Sequence, residues 1–351
     1  LFFLSLLAAP AWAVTRTVCA SGCDSTTING VFTVFDLDPG DVVEVRADIL
    51  GGSKTYFEDV SWGSNDGGAV GSPVTLLARA GDSVTIAGVT HAINSHSVGV
   101  QYISINGFRF TGTSAHTLWL GVSGTATQSN PAVAGVTVKN NFLDGTPAQG
   151  IYCNRCSGAL IANNTVLGQD GSYAGQADGV VLYRGADNIV EHNHITIRND
   201  NSSPHVDGVQ TGWEKNITIR YNYVNQDNSA TSNRQFYFTS NSEGFVRIYN
   251  NIAYKTVGTT GSYVLIVKQG SQTEVGIFNN TIVVSGSAGG IVIQSSPTIG
   301  PSVQNNIVQL GNGTAGILLN GGNQVRTNVH HNVCYRTGSS SCWRDSGGPA
   351  G

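Results

Sequence analysis

Apolar and polar residues alternate in short runs along most of the chain, and the runs close on asparagine. The pattern appears as VTVKNNFL, LIANNTVL, IVEHNHIT, ITIRYNYV, VRIYNNIA, VGIFNNTI, PSVQNNIV and TNVHHNVC. The equivalent asparagines are Asn141, Asn164, Asn193, Asn222, Asn251, Asn280, Asn306 and Asn332. They are 23, 29, 29, 29, 29, 26 and 26 residues apart. A second apolar run precedes each one, as in GIYC, DGVVLY, DGVQTG, FYFT, YVLIV, GIVIQ and GILLN. Alternation with a period of two predicts strands with one buried face. Two or three strands per repeat, with no helical stretch between them, predict the coils of a right-handed parallel β-helix.

The fold class expected is therefore all-β, a solenoid with an N-terminal cap. An asparagine that recurs once per coil stacks on its neighbours and bonds the backbone, which is a structural role. Before the regular repeat, turns at Asp38-Pro39-Gly40 and Ala80-Gly81-Asp82 separate further strands. Residues 14–49 are expected to cover the open apolar end, residues 50–345 to form the helix proper, and residues 346–351 a tail or linker.

Composition supports this reading. Of 351 residues 45 are glycine, while only 11% are charged. A solenoid grows along one axis, so this length needs no second domain. The net charge of -4 gives no support for nucleic-acid binding. Residues 1–13, LFFLSLLAAPAWA, read as part of a signal peptide ending on small-x-small, and no later stretch is apolar enough to span a membrane. A secreted, monomeric protein is expected. Six cysteines in three close pairs, Cys19/Cys23, Cys153/Cys156 and Cys334/Cys342, suit disulfides in an exported chain. The CxxC at Cys153 also admits a zinc or redox reading, though no second ligand pair accompanies it.

The order GC, TI and PGD, then GSPVTLLARAGDSVTIAG, then ISINGFRF resembles the opening of the pectate-lyase-like superfamily of parallel β-helix proteins. The resemblance implies the fold strongly. It implies chemistry on polysaccharides, including lyases that pair a lysine or arginine base with Ca2+.

Candidate chemistry gathers where the repeat is most regular. Asp178 and Asp207 stand one full repeat apart, each followed by glycine and valine, and Gln149 falls one coil earlier. Carboxylates one strand spacing apart, ~4.8 Å, repel unless a cation, a shared proton or basic neighbours relieve them. Both cap a turn in the plain reading; in the functional one they hold Ca2+ or take part in acid–base chemistry. His205 flanks Asp207. Extending the same repeat places Arg234 opposite His205 and Tyr237 beside Gly208, with Lys268 one strand further. His205, Asp207, Asp178, Arg234, Lys268 and Tyr237 are thus the catalytic candidates. Tyr183, Arg184, Gln210 and Trp213 are the substrate-binding ones, the aromatic rings serving as platforms for sugars.

β-Elimination on a uronate polymer needs the carboxylate neutralised and a base within reach of C5. An acidic polysaccharide is the expected partner. Hydrolysis in the manner of polygalacturonases is the alternative enzyme, since HVDG loosely resembles their Asn-Thr-Asp segment. Coil-spaced aspartates sit closer than the ~6.5–9.5 Å of an inverting pair. A non-catalytic glycan-binding adhesin is the third reading. Insertions able to set specificity are expected at 168–176 and 200–204.

Overall fold

The computed structural model describes residues 13–96, 98–124, 128–146, 148–168, 177–198, 206–226, 234–255, 263–285, 288–295, 297–311, 315–320, 328–337 and 341–345. Within them the chain winds through three long parallel sheets of 12, 11 and 11 strands, with a two-stranded sheet beside them. One coil reads simply. Ile151–Asn154 belongs to the third sheet, Leu160–Ala162 to the first, and Thr165–Gly168 to the second. The next coil then returns to the third sheet at Val180–Tyr183.

Burial follows the alternation. Ile151, Cys153, Ile161, Val166, Val180, Leu182, Val190 and Ile195 are all sealed in one continuous core. Each coil leaves part of that core open until the next covers it, so stability accrues between neighbours.

The asparagine column is a ladder. Asn222 donates its backbone N–H to Asn251 Oδ1 at 2.9 Å, and its Nδ2 reaches Val190 O at 2.9 Å. Its own Oδ1 accepts from the backbone N and Nδ2 of Asn193, both at 3.0 Å. The same bonds recur from Asn141 to Asn332. Each ladder asparagine follows a residue in the left-handed region, for example Asn163 (φ 55°), His192 (φ 55°) and Tyr221 (φ 56°). That single residue bends the chain from the first sheet into the second, and the amide satisfies the backbone groups the bend exposes. His331 occupies the same bending position.

At the N-terminal end, Thr15–Val18 pairs in parallel with Val42–Val45 as the edge of the first sheet. A short helix, Ile28–Val34, lies between them, capped by Thr27 and burying Ile28 and Val31. All three cysteine pairs are joined as disulfides: Cys19–Cys23, Cys153–Cys156 and Cys334–Cys342. The zinc reading of the CxxC therefore falls away. No helix is long and apolar enough to cross a membrane among the described residues.

Residues 1–12 and the tail 346–351 lie outside the described residues, as do the insertion at 200–204 and all but Gly168 of the one at 168–176.

Candidate functional site

Of the sequence-derived candidates, Tyr183, Asp207, Gln210 and Tyr237 lie on strands of the third sheet, with Asp178, Arg184, Trp213 and Lys268 just beyond strand ends. Val180 pairs with Val209, so Asp178 and Asp207 occupy the same position on successive coils. Both are fully buried. Asp178 Oδ1 accepts the backbone N–H of Asp207 at 2.8 Å. The glycine after each aspartate has a local cause. A Cβ on Gly179 would stand 2.6 Å from Ile195, and one on Gly208 2.6 Å from Val224. The backbone thus presses against the second sheet at these two points.

Tyr183 receives their influence. Its hydroxyl accepts from Gln210 Nε2 at 2.6 Å. Burial, then the charge of Asp178, then Tyr152 and Asp207 push its pKa well above the ordinary tyrosine value, with Arg184 opposing them. A hydroxyl so placed keeps its proton at neutral pH and can donate it. Tyr183 itself is only partly buried, so it reaches the surface.

Arg155, Arg184 and Trp213 share one turn position, all with left-handed backbone near φ 60°. The Arg184 guanidinium lies 5.0 Å from the Trp213 ring centroid and donates through Nη1 to Asn154 Oδ1 at 3.3 Å. Trp213 in turn meets Tyr183 edge-on at 6.0 Å. The four substrate-binding candidates, Tyr183, Arg184, Gln210 and Trp213, are therefore brought together.

The catalytic candidates divide. Tyr237 is corrected: it is a core residue. The coil after Gly212 is one residue shorter, so Tyr237 pairs with Val209 rather than lying beside Gly208. A one-residue slip moves a side chain to the opposite face of a strand. Its ring is buried in the core, and its hydroxyl donates to the carbonyls of Asn222 and Ile252, both at 3.3 Å. The missing residue is regained downstream, where Gly244 and Phe245 bulge against Lys215–Ile217. The same slip pairs Arg234 with Val206, not with His205. The Arg234 side chain and all of His205 lie outside the described residues. Lys268 stands on the same face, its Nζ 5.1 Å from the ring centroid of Phe238, which is the cross-strand neighbour of Gln210.

Sequence reading missed half of this surface. His91 and His116 hold the Asp178 position on earlier coils, while Trp119 and Tyr152 hold the position of Val181. The spacing there is irregular. Ile93 pairs with Leu118 after a coil shorter than the regular one, and Leu118 pairs with Ile151 after a longer one. An alignment at constant spacing passes over them.

Asp178 and Asp207 are the carboxylates that the sequence offers to Ca2+. Ca2+ takes about 6–8 oxygens, carbonyls and waters included; no group of three His, Cys, Asp or Glu converges among the described residues.

No protein-family model and no curated protein matches the sequence. Solved structures do match. The chain is similar to XylC in complex with xylose, with a TM-score of 0.51 and 12% identity over 88% of this chain and 69% of that one. It is also similar to the A-module of the mannuronan C-5 epimerase AlgE6 of Azotobacter vinelandii (0.46, 12%, 89% and 92%). A family 28 exopolygalacturonase of Yersinia enterocolitica gives 0.46 and 10% over 96% and 78%. The likeness to XylC is one of fold, and the fold is the right-handed parallel β-helix expected from the pectate-lyase-like opening.

Proposed function

We propose that this is a secreted carbohydrate-active enzyme that cleaves a uronate-containing polysaccharide by β-elimination. The observation that carries the reading is the paired Asp178 and Asp207 behind Tyr183, with Arg184 and Trp213 alongside, on the outer face of a β-helix. XylC, similar in fold, was solved as a complex with a sugar, xylose.

The chemistry follows from the groups. A base takes the C5 proton, the electron pair forms the C4–C5 double bond, and the C4–O4 bond breaks with O4 taking a proton. Tyr183 suits the last step, because its hydroxyl accepts from Gln210 and so keeps its own O–H to give. Arg184 suits the uronate carboxylate, since its guanidinium forms planar paired hydrogen bonds. We assign the base to His205, two residues before Asp207 in the chain, whose ordinary pKa lies near neutrality. Lys268 is the second candidate for that role. Asp178 and Asp207 are positioning residues, because both are sealed from solvent.

The test is absorbance near 235 nm with pectate, alginate and glycosaminoglycans, each with Ca2+ or EDTA. A rise on one polymer, abolished in His205→Ala, is expected; the EDTA arm reads out any need for calcium. New reducing ends without absorbance would replace this reading with hydrolysis. Silence in both assays would leave a glycan-binding module.

A further inference from the structure

On the N-terminal side of Tyr183 the outer face of the third sheet is paved with rings. Trp119 packs against His96 at 4.3 Å and 15° and against His91 at 4.6 Å. Tyr152 stacks on His116 at 5.0 Å and 12°, and meets Tyr183 edge-on at 6.0 Å. Trp119 pairs directly with Tyr152 across the sheet. The paving therefore runs without a break from Ile93–Asn94 through Leu118–Gly121 and Ile151–Asn154 to the Tyr183–Trp213 pair.

Three properties of this strip restrict its ligand. The first is repeat: coils lie ~4.8 Å apart, close to the advance of one sugar residue in an extended β-linked chain. The strip from Ile93–Asn94 to Val206–Gly212 crosses four coil steps, ~19 Å, room for about four rings. The second is rigidity. Trp119, Tyr152 and Tyr183 are partly exposed, whereas His91 and His96 beside them are buried. His91 Nδ1 is bonded to His116 O at 2.9 Å. Rings already held by neighbours lose little freedom when a ligand arrives. The third is that no Asp, Glu, Lys or Arg stands among its rings before Tyr183 in the described residues, Arg184 lying only at the far end against Trp213. The strip consists of indole, phenol and imidazole groups; burial, with the nearby His91, pushes His116 down to about 4, and burial also lowers His96. Such a surface offers ring faces to C–H groups and polar ring edges to hydroxyls, but no cation to a carboxylate or phosphate on every residue.

We propose that this strip binds a run of uncharged pyranose rings, so that the polymer recognised carries neutral residues on the side leading to the cleavage position. This rests on, and narrows, the reading of the site as a polysaccharide lyase. A fully charged uronate homopolymer is then a poor ligand for the strip, and a neutral chain bearing a uronate is a good one.

Calorimetric titration of the intact protein with xylohexaose, cellohexaose and mannohexaose, beside hexagalacturonate, tests it. At least one neutral hexasaccharide is expected to bind, with affinity reduced tenfold or more in Trp119→Ala and largely restored in Trp119→Phe. Tyr254→Ala, which removes a ring from the second sheet, is expected to change affinity less than twofold. Thermal unfolding of each variant separates lost binding from lost fold. Binding of hexagalacturonate alone, or neutral binding indifferent to Trp119→Ala, would overturn the proposal. The two readings fail separately. Elimination from a homopolymer with unaltered rate in Trp119→Ala would leave the lyase standing and remove the strip. Neutral binding lost in Trp119→Ala, without any rise at 235 nm, would do the reverse.

Discussion

Two columns of polar residues run through this molecule, each repeating once per coil, and they behave in opposite ways. At the bend between the first and second sheets the residue is asparagine. At the leading edge of the third sheet it is His91, His116, Gln149, Asp178 and Asp207 in succession. An amide carries donor and acceptor together, so one asparagine satisfies the next and the column extends from Asn141 to Asn332. An ionised carboxylate only accepts. Asp178 takes the Asp207 backbone N–H, but two carboxylates cannot satisfy each other, and a carboxylate column cannot propagate. The self-complementary column is scaffold. The one that breaks the rule sits beside the aromatic groups and marks the candidate site.

Exchanging the chemistry of the columns sharpens this contrast. The largest effect is expected from Asn222→Asp, which removes the Nδ2 donations to Val190, Arg220 and Asn251 and sets a carboxylate against Asn251 Oδ1. A loss of about 3 kcal/mol or more is expected from the buried charge and orphaned acceptors, read as a fall in the denaturation midpoint. Next comes Tyr183→Phe. If its hydroxyl protonates the leaving oxygen, kcat falls about 100-fold while the unfolding midpoint hardly moves; an unchanged kcat would remove Tyr183 from the chemistry. Asp207→Asn makes the third-sheet column more amide-like. A roughly tenfold loss of kcat, about 1.4 kcal/mol, is expected. The alkaline limb of the pH profile should move down, because one of the anions that raise Tyr183 is gone. Its midpoint should shift far less than that of Asn222→Asp.

The smallest effect concerns Glu214, a buried carboxyl behind the Trp213 turn. It accepts from Gly185 N and from Asn188 Nδ2, both at 2.7 Å. Burial nonetheless pushes it up to about 8. The folded state then holds a proton that the unfolded chain, near 4.5, has released, so stability is full below pH 4.5 and falls as pH rises toward 8. Glu214→Gln should flatten that slope, measured as a smaller difference in Tm between pH 5 and pH 8.

How far the site could be read from the chain depended on regularity. Between Gly150 and Trp213 the coils keep one length, and the alignment of Asp178 with Asp207, and of Arg155, Arg184 and Trp213, is what the fold shows. One shortened coil was enough to misplace Tyr237, because a strand presents alternate residues to opposite faces. The bulge at Gly244 restores the spacing, so Asn222 and Asn251 still stand one regular repeat apart and the asparagine column carries no trace of the slip. Irregular steps likewise hid His91, His116 and Trp119, although each is an ordinary aromatic or imidazole residue in plain view.

The chain by itself determined the β-helix, the asparagine ladder and the cysteine pairs, since all of these are set by local period and by neighbours at short or constant spacing. Only the tertiary structure decided which polar groups share a face. That depends on the summed length of every loop and bulge in a coil, a quantity to which one added or missing residue contributes as much as a whole strand.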